Sequence, residues 1–383
     1  MKKLREIIML LSMVAMLGLT ACGSKPTVET PEATAEQTTE ASKEQETTAP
    51  VVESNPDETT AEVVEETEEA APEGMVKSYL TGLWQEEEKV ARRPISIMLS
   101  NIKKATPQTG ISKAAIIYEA PVEGMITRLM GVFEDYEGLE KIGSVRSART
   151  YFVFWSQHWD SVYAHFGQCD YANIYLDQID NLNGVKGIGN TVYYRTSDRK
   201  APHNAYASED GLLAGIEKMG YRTHHEADYN RGVFLFADHT GDVTLEDGIP
   251  ATYVYPGFRD NNGDKIYFEY DETTKKYLRY QFGGPQIDDM TGEQLAVDNV
   301  LIQYCDWEPY FGTQYLWINI WDTSGNPGYY ITQGKAIPIV WVGGTEYEPT
   351  KYYDQAGNEL VLNPGQTWVC TILDTDMEDT VIE

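Results

Sequence analysis

The run KIGSVRSARTYFVFWSQHWDSVYAHFGQ, Lys141 to Gln168, joins two arginines, an aromatic segment and a histidine. Ser144 is a favourable N-cap, and the residues after it recur at helical spacing, which predicts a helix packed on a core: Ala148, Phe152, Trp155 and Trp159. Arg146 and Arg149 would share one face near its start, since residues three apart are neighbours. Backbone N–H groups at a helix start favour anions, so this stretch outlines an anion-recognising site.

The alternation changes to a period of two over residues 161–166, which predicts a β-strand. Val162 and Ala164 face the core in this pattern, and His165 faces the other way, just before Gly167. His165 is therefore a candidate for chemistry at a strand end.

Two acidic residues flank a proline in YEAPVEG, residues 118–124. Pro121 prevents a helix through this point, so Glu119 and Glu123 are predicted on an irregular turn. The apolar strand that follows carries Arg128.

A third polar group lies in RTSDRKAPHN, residues 195–204. Pro202 keeps the residue before it extended, which fixes the approach to His203 and Asn204. Arg199 adds a cation to the segment. The helix that follows should begin after an N-cap serine and end at a glycine, Ser208 and Gly220.

Strands mix with helices up to about residue 240, and from about residue 245 the pattern is β only. Strands are predicted at 95–99, 114–118, 126–133, 161–166, 265–270, 277–282, 300–305, 315–321, 337–342 and 367–373. The predicted fold class is α+β: a mixed α/β domain at 92–240, then a mainly antiparallel β domain at 241–383.

A basic start and a short apolar run over residues 7–19 predict a signal peptide over residues 1–22. It closes with LTACG, residues 19–23, which looks like a bacterial lipobox and makes Cys22 the predicted site of lipid (palmitate) attachment. The alternative is an ordinary secretory signal with an incidental cysteine, but the small residues before Cys22 favour the lipobox. The expected location is the extracytoplasmic face of the bacterial cell membrane, with the lipid bilayer as a partner through the acylated Cys22.

Residues 23–91 are rich in Thr, Glu, Ala and Pro and hold 4 basic and 18 acidic residues, which predicts a disordered tether. The remaining residues 92–383 hold 23 basic and 41 acidic residues, a net charge of −18. So acidic a surface argues against nucleic acid as a partner.

Three cysteines remain beyond residue 91, namely Cys169, Cys305 and Cys370. Because their number is odd, at least one is expected to stay free. Their spacing lacks a metal-knuckle pair, and the adjacent His224 and His225 are predicted as a solvated pair. The sequence therefore predicts no metal and no cofactor.

Several motifs resemble the YerB-like lipoproteins, a bacterial family built on a domain of unknown function with N- and C-terminal parts. These motifs span nearly all of residues 92–383: RPISIM from Arg93, YEAPVEG from Tyr118 with Thr127 and Arg128, GSVRSAR ending at Arg149, His165 with Gly167, RKAPHNAY from Arg199, and LNPGQTW from Leu362. The resemblance implies a membrane-anchored extracytoplasmic protein, and it brings no established activity with it.

The polar residues form one candidate set: Glu119, Glu123, Arg128, Arg146, Arg149, His165, Arg199, His203 and Asn204. In the favoured hypothesis they bind an anionic cell-envelope ligand or partner. Its carboxylate or phosphate would be gripped by the four arginines and Asn204, because guanidinium groups make forked hydrogen bonds with such anions.

An enzyme is the alternative: a metal-independent hydrolase or transferase on an anionic wall substrate. His165 or His203 would be its general base, oriented by Glu119 or Glu123. The sequence contains none of the usual hydrolase, P-loop or zinc-protease motifs, which ranks the enzyme below the binding hypothesis. A metal site of His165, His203 and Glu123 is a weaker variant. A structural or regulatory envelope scaffold, and a set of separate salt bridges, are the remaining hypotheses.

One mutation separates a binding site from separate ion pairs. If the arginines converge around too few acids, Arg149→Ala should abolish anion binding without loss of thermal stability. If they serve separate pairs, the same change should lower stability by leaving a buried carboxylate unpaired.

Overall fold

The computed structural model describes residues 71–229, 232–259, 265–345 and 348–383. The predicted signal peptide, the predicted lipid-attachment residue Cys22 and the predicted tether up to residue 70 lie outside these ranges. No helix within them is long and apolar enough to cross a membrane.

The first part of the described chain mixes strands with helices. Its strands are β1 (Met75–Lys77), β2 (Trp84–Glu86), β3 (Ile95–Ser100), β4 (Ile116–Pro121), β5 (Thr127–Phe133), β6 (Ile142–Gly143), β7 (Val162–His165), β8 (Asn181–Asn183), β9 (Tyr193–Arg195) and β10 (Ala205–Ala207). Its α-helices are α1 (Glu87–Ala91), α2 (Thr150–His158), α3 (Asn173–Leu176), α4 (Gly189–Val192) and α5 (Glu209–Met219).

The second part consists mainly of strands. They are β11 (Leu235–Phe236), β12 (Ile249–Pro250), β13 (Tyr253–Tyr255), β14 (Tyr267–Asp271), β15 (Lys276–Gln281), β16 (Gly284–Pro285), β17 (Ala296–Val297), β18 (Asn299–Cys305), β19 (Trp307–Pro309), β20 (Leu316–Ile318), β21 (Asn326–Thr332), β22 (Lys335–Val342), β23 (Lys351–Tyr353), β24 (Val361–Leu362), β25 (Thr367–Leu373) and β26 (Val381–Ile382). The predicted α+β class is confirmed.

One large sheet draws strands from both parts. Its order is β12-β22-β21-β18-β25-β4-β5-β3-β7-β8, with β23 beside β22. The parallel pairing of β4 with β25, Ile116 to Glu119 against Thr367 to Cys370, joins the two parts. Its central strands are buried on both faces, which explains their continuous apolar runs. The domain boundary near residue 240 stays a prediction.

Smaller sheets surround this one. A second sheet has the order β16-β15-β14-β13-β26, with β17 beside β15, and contains the predicted hairpin of β14 and β15. A third has the order β6-β10-β9, and the pairs β1–β2, β11–β24 and β19–β20 stand alone. Cys169, Cys305 and Cys370 are all buried and free.

Residues 71–91 are folded, so the predicted end of the tether at residue 91 is wrong. β1 and β2 form an antiparallel pair, and α1 follows directly. Leu80 is 0% exposed and Val90 is 2% exposed, and both belong to a large hydrophobic core. The acidic composition of the whole segment obscures these few apolar residues, which suffice to attach its end to the core.

The central helix starts later than predicted. α2 begins at Thr150, with Arg149 at the N-cap in an extended conformation, and not near Ser144. The segment before it is extended because neighbouring strands bind its backbone. Val145 N donates to the carbonyl of Ala205, and Arg146 N donates to that of Met98. Arg146 and Arg149 therefore do not share a helical face. By contrast, α5 has the predicted caps, with Ser208 accepting from Gly211 N and Gly220 left-handed.

Candidate functional site

Arg149 is held by Glu123 in a forked ion pair. Glu123 lies in the short turn after β4, and Arg149 precedes α2. Arg149 Nη2 lies 2.7 Å from Glu123 Oε2, and Nε bonds to the other carboxylate oxygen. Arg149 Nη1 donates to the Ala148 carbonyl at 2.7 Å. Burial opposes the charge of Arg149, but the hydrogen bonds and charge of Glu123 outweigh it and raise the Arg149 pKa.

Arg128 is buried beside this pair. It projects from β5 and donates from Nη1 to the Ser147 carbonyl at 2.6 Å. Burial lowers the pKa of Arg128, and the positive charges of Arg149 and Arg146 lower it further. Glu123 opposes this effect. Three arginines thus act on one another, and Glu123 is the carboxylate that offsets them.

Arg146 links the pair to a second group of cations. Its Nη1 donates to the Pro202 carbonyl at 3.2 Å. Its Nε is buried and has no hydrogen-bond partner among the residues that the structure describes. Burial and the charge of Arg149 lower the Arg146 pKa.

His203 lies among these positive charges. Its Nδ1 is buried and without a partner in the described part of the chain. Burial lowers the His203 pKa, as do the charges of Arg146, Lys104 and Arg199. Arg199 holds the loop that carries Lys104 by donating to two backbone carbonyls, those of Ala105 at 2.7 Å and Pro107 at 2.9 Å.

These residues are the basic cluster: Lys104, Glu123, Arg128, Arg146, Arg149, Arg199 and His203. The structure brings six of the nine predicted residues into it. The sequence analysis did not identify Lys104. It belongs to a lysine pair in a polar loop, and such a pair looks like any other exposed cation in a loop. The geometry suits retention of an anion, since the cluster carries several donors and an excess of positive charge.

Glu119 lies apart from the basic cluster. It belongs to β4 and not to the predicted turn, because the strand continues to Pro121. Glu119 pairs with Leu129 across the ladder, whereas Arg128 pairs with Ala120. Adjacent residues of a strand point to opposite faces, so Glu119 and Arg128 lie on opposite sides of the large sheet.

Four donors surround the carboxylate of Glu119, which is 0% exposed. They are Arg279 Nη2 at 2.5 Å, Thr127 Oγ1 at 2.7 Å, and Asn101 Nδ2 and Trp368 Nε1, both at 3.0 Å. Burial raises the Glu119 pKa, and Arg279 with the other donors opposes that rise. The guanidinium group of Arg279 and the three neutral donors together complement a carboxylate.

Arg279 is a buried charged residue that the sequence analysis did not identify. Its guanidinium carbon lies 4.6 Å from the ring centres of both Phe268 and Trp368. Like Glu119, it is 0% exposed. A signal existed, because Arg279 shares the buried face of an alternating strand with Tyr277.

His165 and Asn204 are also engaged elsewhere. His165 is 0% exposed, and its ring nitrogens lie 2.7 Å from Gly167 O and 3.1 Å from Asn181 Oδ1. Burial lowers its pKa. The prediction that His165 faces away from the core is wrong, because both faces of β7 are buried. Asn204 accepts from Arg195 Nη1 at 2.8 Å and donates to a backbone carbonyl.

The predicted solvated histidine pair is only half correct. His224 is exposed, but the side chain of His225 is 1% exposed. Its Nδ1 lies 2.9 Å from Asp160 Oδ2, and Arg222 donates to Asp160 Oδ1 at 2.6 Å. Adjacent side chains point apart, so one histidine of the pair enters the core when the other reaches solvent.

The predicted catalytic arrangement does not form among the described residues. Glu119 bonds to Arg279 and Glu123 bonds to Arg149, so neither glutamate orients His203. Within the described ranges, no group of three or more His, Cys, Asp or Glu side chains could hold a metal ion. The weaker metal hypothesis therefore has no site there.

Together, the fold and the cluster define a class: an α+β protein with one large mixed sheet and a basic cluster beside it. Two models of one family match the chain, the N-terminal domain of Protein of unknown function (DUF3048) over residues 80–222 and its C-terminal domain over residues 256–369. The chain belongs to this family, as its motifs indicated.

A relative and a solved structure agree with this assignment. The protein named "Putative lipoprotein YerB" from Bacillus subtilis (strain 168) is 32% identical over 309 residues, which cover 79% of this chain and 87% of the relative. The crystal structure of the YerB protein from Bacillus subtilis has a TM-score of 0.69 and 29% identity to this chain. It covers 80% of this chain and 99% of that one. The relative's name describes a lipoprotein and specifies no activity.

Proposed function

We propose that this protein is a lipid-anchored extracytoplasmic protein that binds an anionic cell-envelope ligand at the basic cluster. The ligand carries a phosphate or a carboxylate. The observation that carries the proposal is a pair of buried polar atoms, Arg146 Nε and His203 Nδ1, that have no partner among the described residues. They belong to neighbouring side chains of one cluster, and polar groups in folded proteins are normally paired.

The charges of the cluster support an anion as the ligand. Glu123 offsets the charges of Arg128, Arg146 and Arg149, and Asp198 approaches Arg199 only to 3.9 Å. The positive charges of the cluster, which also includes Lys104, therefore exceed its negative ones. Like charges in a partly buried site repel one another more strongly than in water. An anion bound at the cluster relieves that repulsion, even though the formal net charge of the whole protein is −30.

The members of the cluster have different roles in this proposal. Arg149 and Glu123 form its buried base, and Arg128 adds positive charge beneath the site. Arg146 and His203 contact the ligand, because each retains an unpartnered polar atom within the described ranges. Lys104 is exposed and adds a cation at the rim.

The location in this proposal rests on Cys22 and its lipobox. Cys22→Ser removes the thiol that would carry the lipid, so metabolic labelling with palmitate should be lost. Unchanged labelling of the variant would contradict the anchor.

Titration of the full chain with inorganic phosphate, followed by calorimetry, tests the site. Arg146→Met should weaken binding at least about tenfold, which corresponds to about 1.4 kcal/mol. Its melting temperature should stay the same or rise, because the substitution removes a positive charge from a repulsive cluster.

Arg259→Met is the matched control. It removes the same charge from an arginine outside the cluster, where Arg259 Nε lies 2.7 Å from Asp376 Oδ2. Phosphate binding should survive this change. Equal weakening of phosphate binding by both variants would show that the effect comes from net charge alone. Unchanged binding by Arg146→Met would refute the site.

A further inference from the structure

A cavity of about 350 Å³ lies outside the basic cluster, between the loop that follows β3 and the turn between β15 and β16. Pro107, Phe282 and Pro285 give it apolar walls, and Gln108 and Gln281 give it polar ones. Its volume suits one small group of a ligand. The loop on one side is the loop that Arg199 holds through two carbonyls, so the two sites share a border.

Gln281 is the unusual residue of this cavity. It is 4% exposed, yet neither its amide oxygen nor its amide nitrogen has a hydrogen-bond partner among the described residues. The two other buried amides of the lining, Gln108 and Gln286, are paired. Gln286 Nε2 donates to Gln108 Oε1, and Gln286 Oε1 accepts from Arg279 Nε at 3.3 Å. Gln108 donates to Ser100 O and Asn101 Oδ1, both at 3.0 Å, and accepts from Gln286 at 3.1 Å.

Burying a polar group without a partner destabilises a fold, so an amide with both atoms unpaired calls for an explanation. A ligand in the adjoining cavity supplies one. Gln281 offers an NH₂ group that donates and a C=O group that accepts, and a secondary amide complements them with its C=O and N–H. An anion would leave the Gln281 oxygen unpaired, and a hydrocarbon would leave both atoms unpaired.

We propose that this cavity is a second binding site, which takes the secondary amide of a small ligand, as found in N-acylated sugars and in peptides. The apolar walls receive the acyl group, and Gln281 pairs with the amide. The nearest buried charge is already balanced, since Arg279, two residues before Gln281 on the same face of β15, is paired with Glu119. The site therefore favours a neutral group over the anion proposed for the basic cluster.

The test uses the full chain and two probes, N-acetylglucosamine and N-acetyl-alanine methylamide. At least one probe should raise the melting temperature in a saturable manner at millimolar concentrations. A response to the sugar alone identifies an acylated sugar as the source of the amide, and a response to the methylamide alone identifies a peptide. No saturable response to either probe overturns the proposal.

Gln281→Met keeps the length of the side chain and removes the amide. It should abolish the probe response and leave the melting temperature of the free protein unchanged or higher. Gln303→Met is the matched control, because the buried Gln303 is fully paired. Its Nε2 donates to Thr371 Oγ1 and its Oε1 accepts from the Tyr352 hydroxyl, both at 2.9 Å.

Gln303→Met should lower the melting temperature by several degrees and retain the probe response. If Gln281→Met lowers it equally, the Gln281 amide serves the fold and the proposal fails. The two proposed sites fail separately: Gln281→Met should still bind phosphate, and Arg146→Met should still respond to the amide probes.

Discussion

Two polar regions of this protein lie on opposite sides of one sheet and differ in how far their charges are balanced. Around Glu119, four donors meet one carboxylate, and both Glu119 and Arg279 are inaccessible to solvent. Arg279 supplies the matching charge, although its Nη1 has no partner among the described residues. In the basic cluster, by contrast, the positive charges exceed the negative ones, and Arg146 Nε and His203 Nδ1 are unpaired within the described ranges. The first region is a balanced ion pair, and the second is the region that we propose binds an anion.

The difference teaches that residue type alone does not mark a functional site. Glu119 and Glu123 stand four residues apart and are the same residue type, yet one is buried in the core and the other belongs to the basic cluster. What separates them is the direction of each side chain and the partner that it meets.

The largest effect is expected from breaking the buried Arg279–Glu119 ion pair. Arg279→Met leaves the carboxylate of Glu119 buried without its cation, and removing one partner of a buried pair costs about 3–5 kcal/mol. Urea-induced unfolding should show this loss. Phosphate affinity should not change, because Arg279 lies on the other side of the sheet from the cluster.

The double variant Arg279→Met/Glu119→Gln is the control for this prediction. Because both charges are removed while an amide oxygen still accepts from the remaining donors, much of the lost stability should return. A double variant as unstable as Arg279→Met alone would show that the ring packing of Arg279 on Phe268 and Trp368, and not the charge pair, dominates.

This pair also shows where sequence analysis stops. Strand alternation is local, so the strands and the hairpin of β14 and β15 were predictable. The partner of Glu119 lies 160 residues away, and nothing near Glu119 indicates it. The start of α2 was mispredicted for the same kind of reason, because backbone bonds to Met98 and Ala205 hold the preceding segment extended.

The cluster itself was partly predictable. Arg146, Arg149 and His203 stood out by charge and by position at element ends, and the structure places them near one another. The burial of His165 was not predictable from its own strand. The alternation around His165 is the same as that around an exposed residue. His165 is buried because β7 lies between β3 and β8 and is covered on both faces.

The second largest effect is expected from breaking the Arg149–Glu123 ion pair of the basic cluster. Arg149→Met leaves Glu123 without its forked partner, and Glu123 is about one-fifth exposed, its side chain 22% accessible. The loss of stability should therefore be smaller than for the fully buried pair, about 1–3 kcal/mol. This loss is the outcome that the sequence analysis expected of separate ion pairs. A stable Arg149→Met protein would instead match the outcome that it expected of arginines converging around too few acids.

A smaller effect is expected from Glu123→Gln, which removes the acid that offsets the cluster. The free positive charge then increases, so phosphate affinity should rise by up to about tenfold, or 1.4 kcal/mol. Stability should fall modestly as Arg149 loses its ionic partner. Glu359→Gln, which frees Lys351 outside the cluster, is the control and should leave phosphate affinity unchanged. Weaker phosphate binding by Glu123→Gln would show that the ion pair positions the site.

The smallest effect is expected from the titration of His203. Burial and the charges of Arg146, Lys104 and Arg199 lower its pKa, so it is neutral at pH 7 in the free protein. Because its folded pKa is lower than its unfolded pKa, protonation destabilises the free protein as pH falls below about 6.5. A bound anion favours the protonated form, so anion affinity should rise over the same interval.

Sulfate is the suitable probe for this prediction, since its charge does not change between pH 5 and pH 8, whereas that of phosphate does. A partly exposed ion pair contributes about 0.2–1 kcal/mol, so sulfate affinity should increase by about twofold to fivefold between pH 7.5 and pH 5.5. His203→Asn should bind sulfate with a flat pH profile, while His224→Asn, which changes an exposed histidine outside the cluster, should keep the wild-type slope. A wild-type slope in His203→Asn would remove His203 from the site but leave Arg146 in it, because the arginine stays charged throughout this range. The pH profile therefore tests the one cluster residue whose charge changes near neutrality, independently of the arginines that surround it.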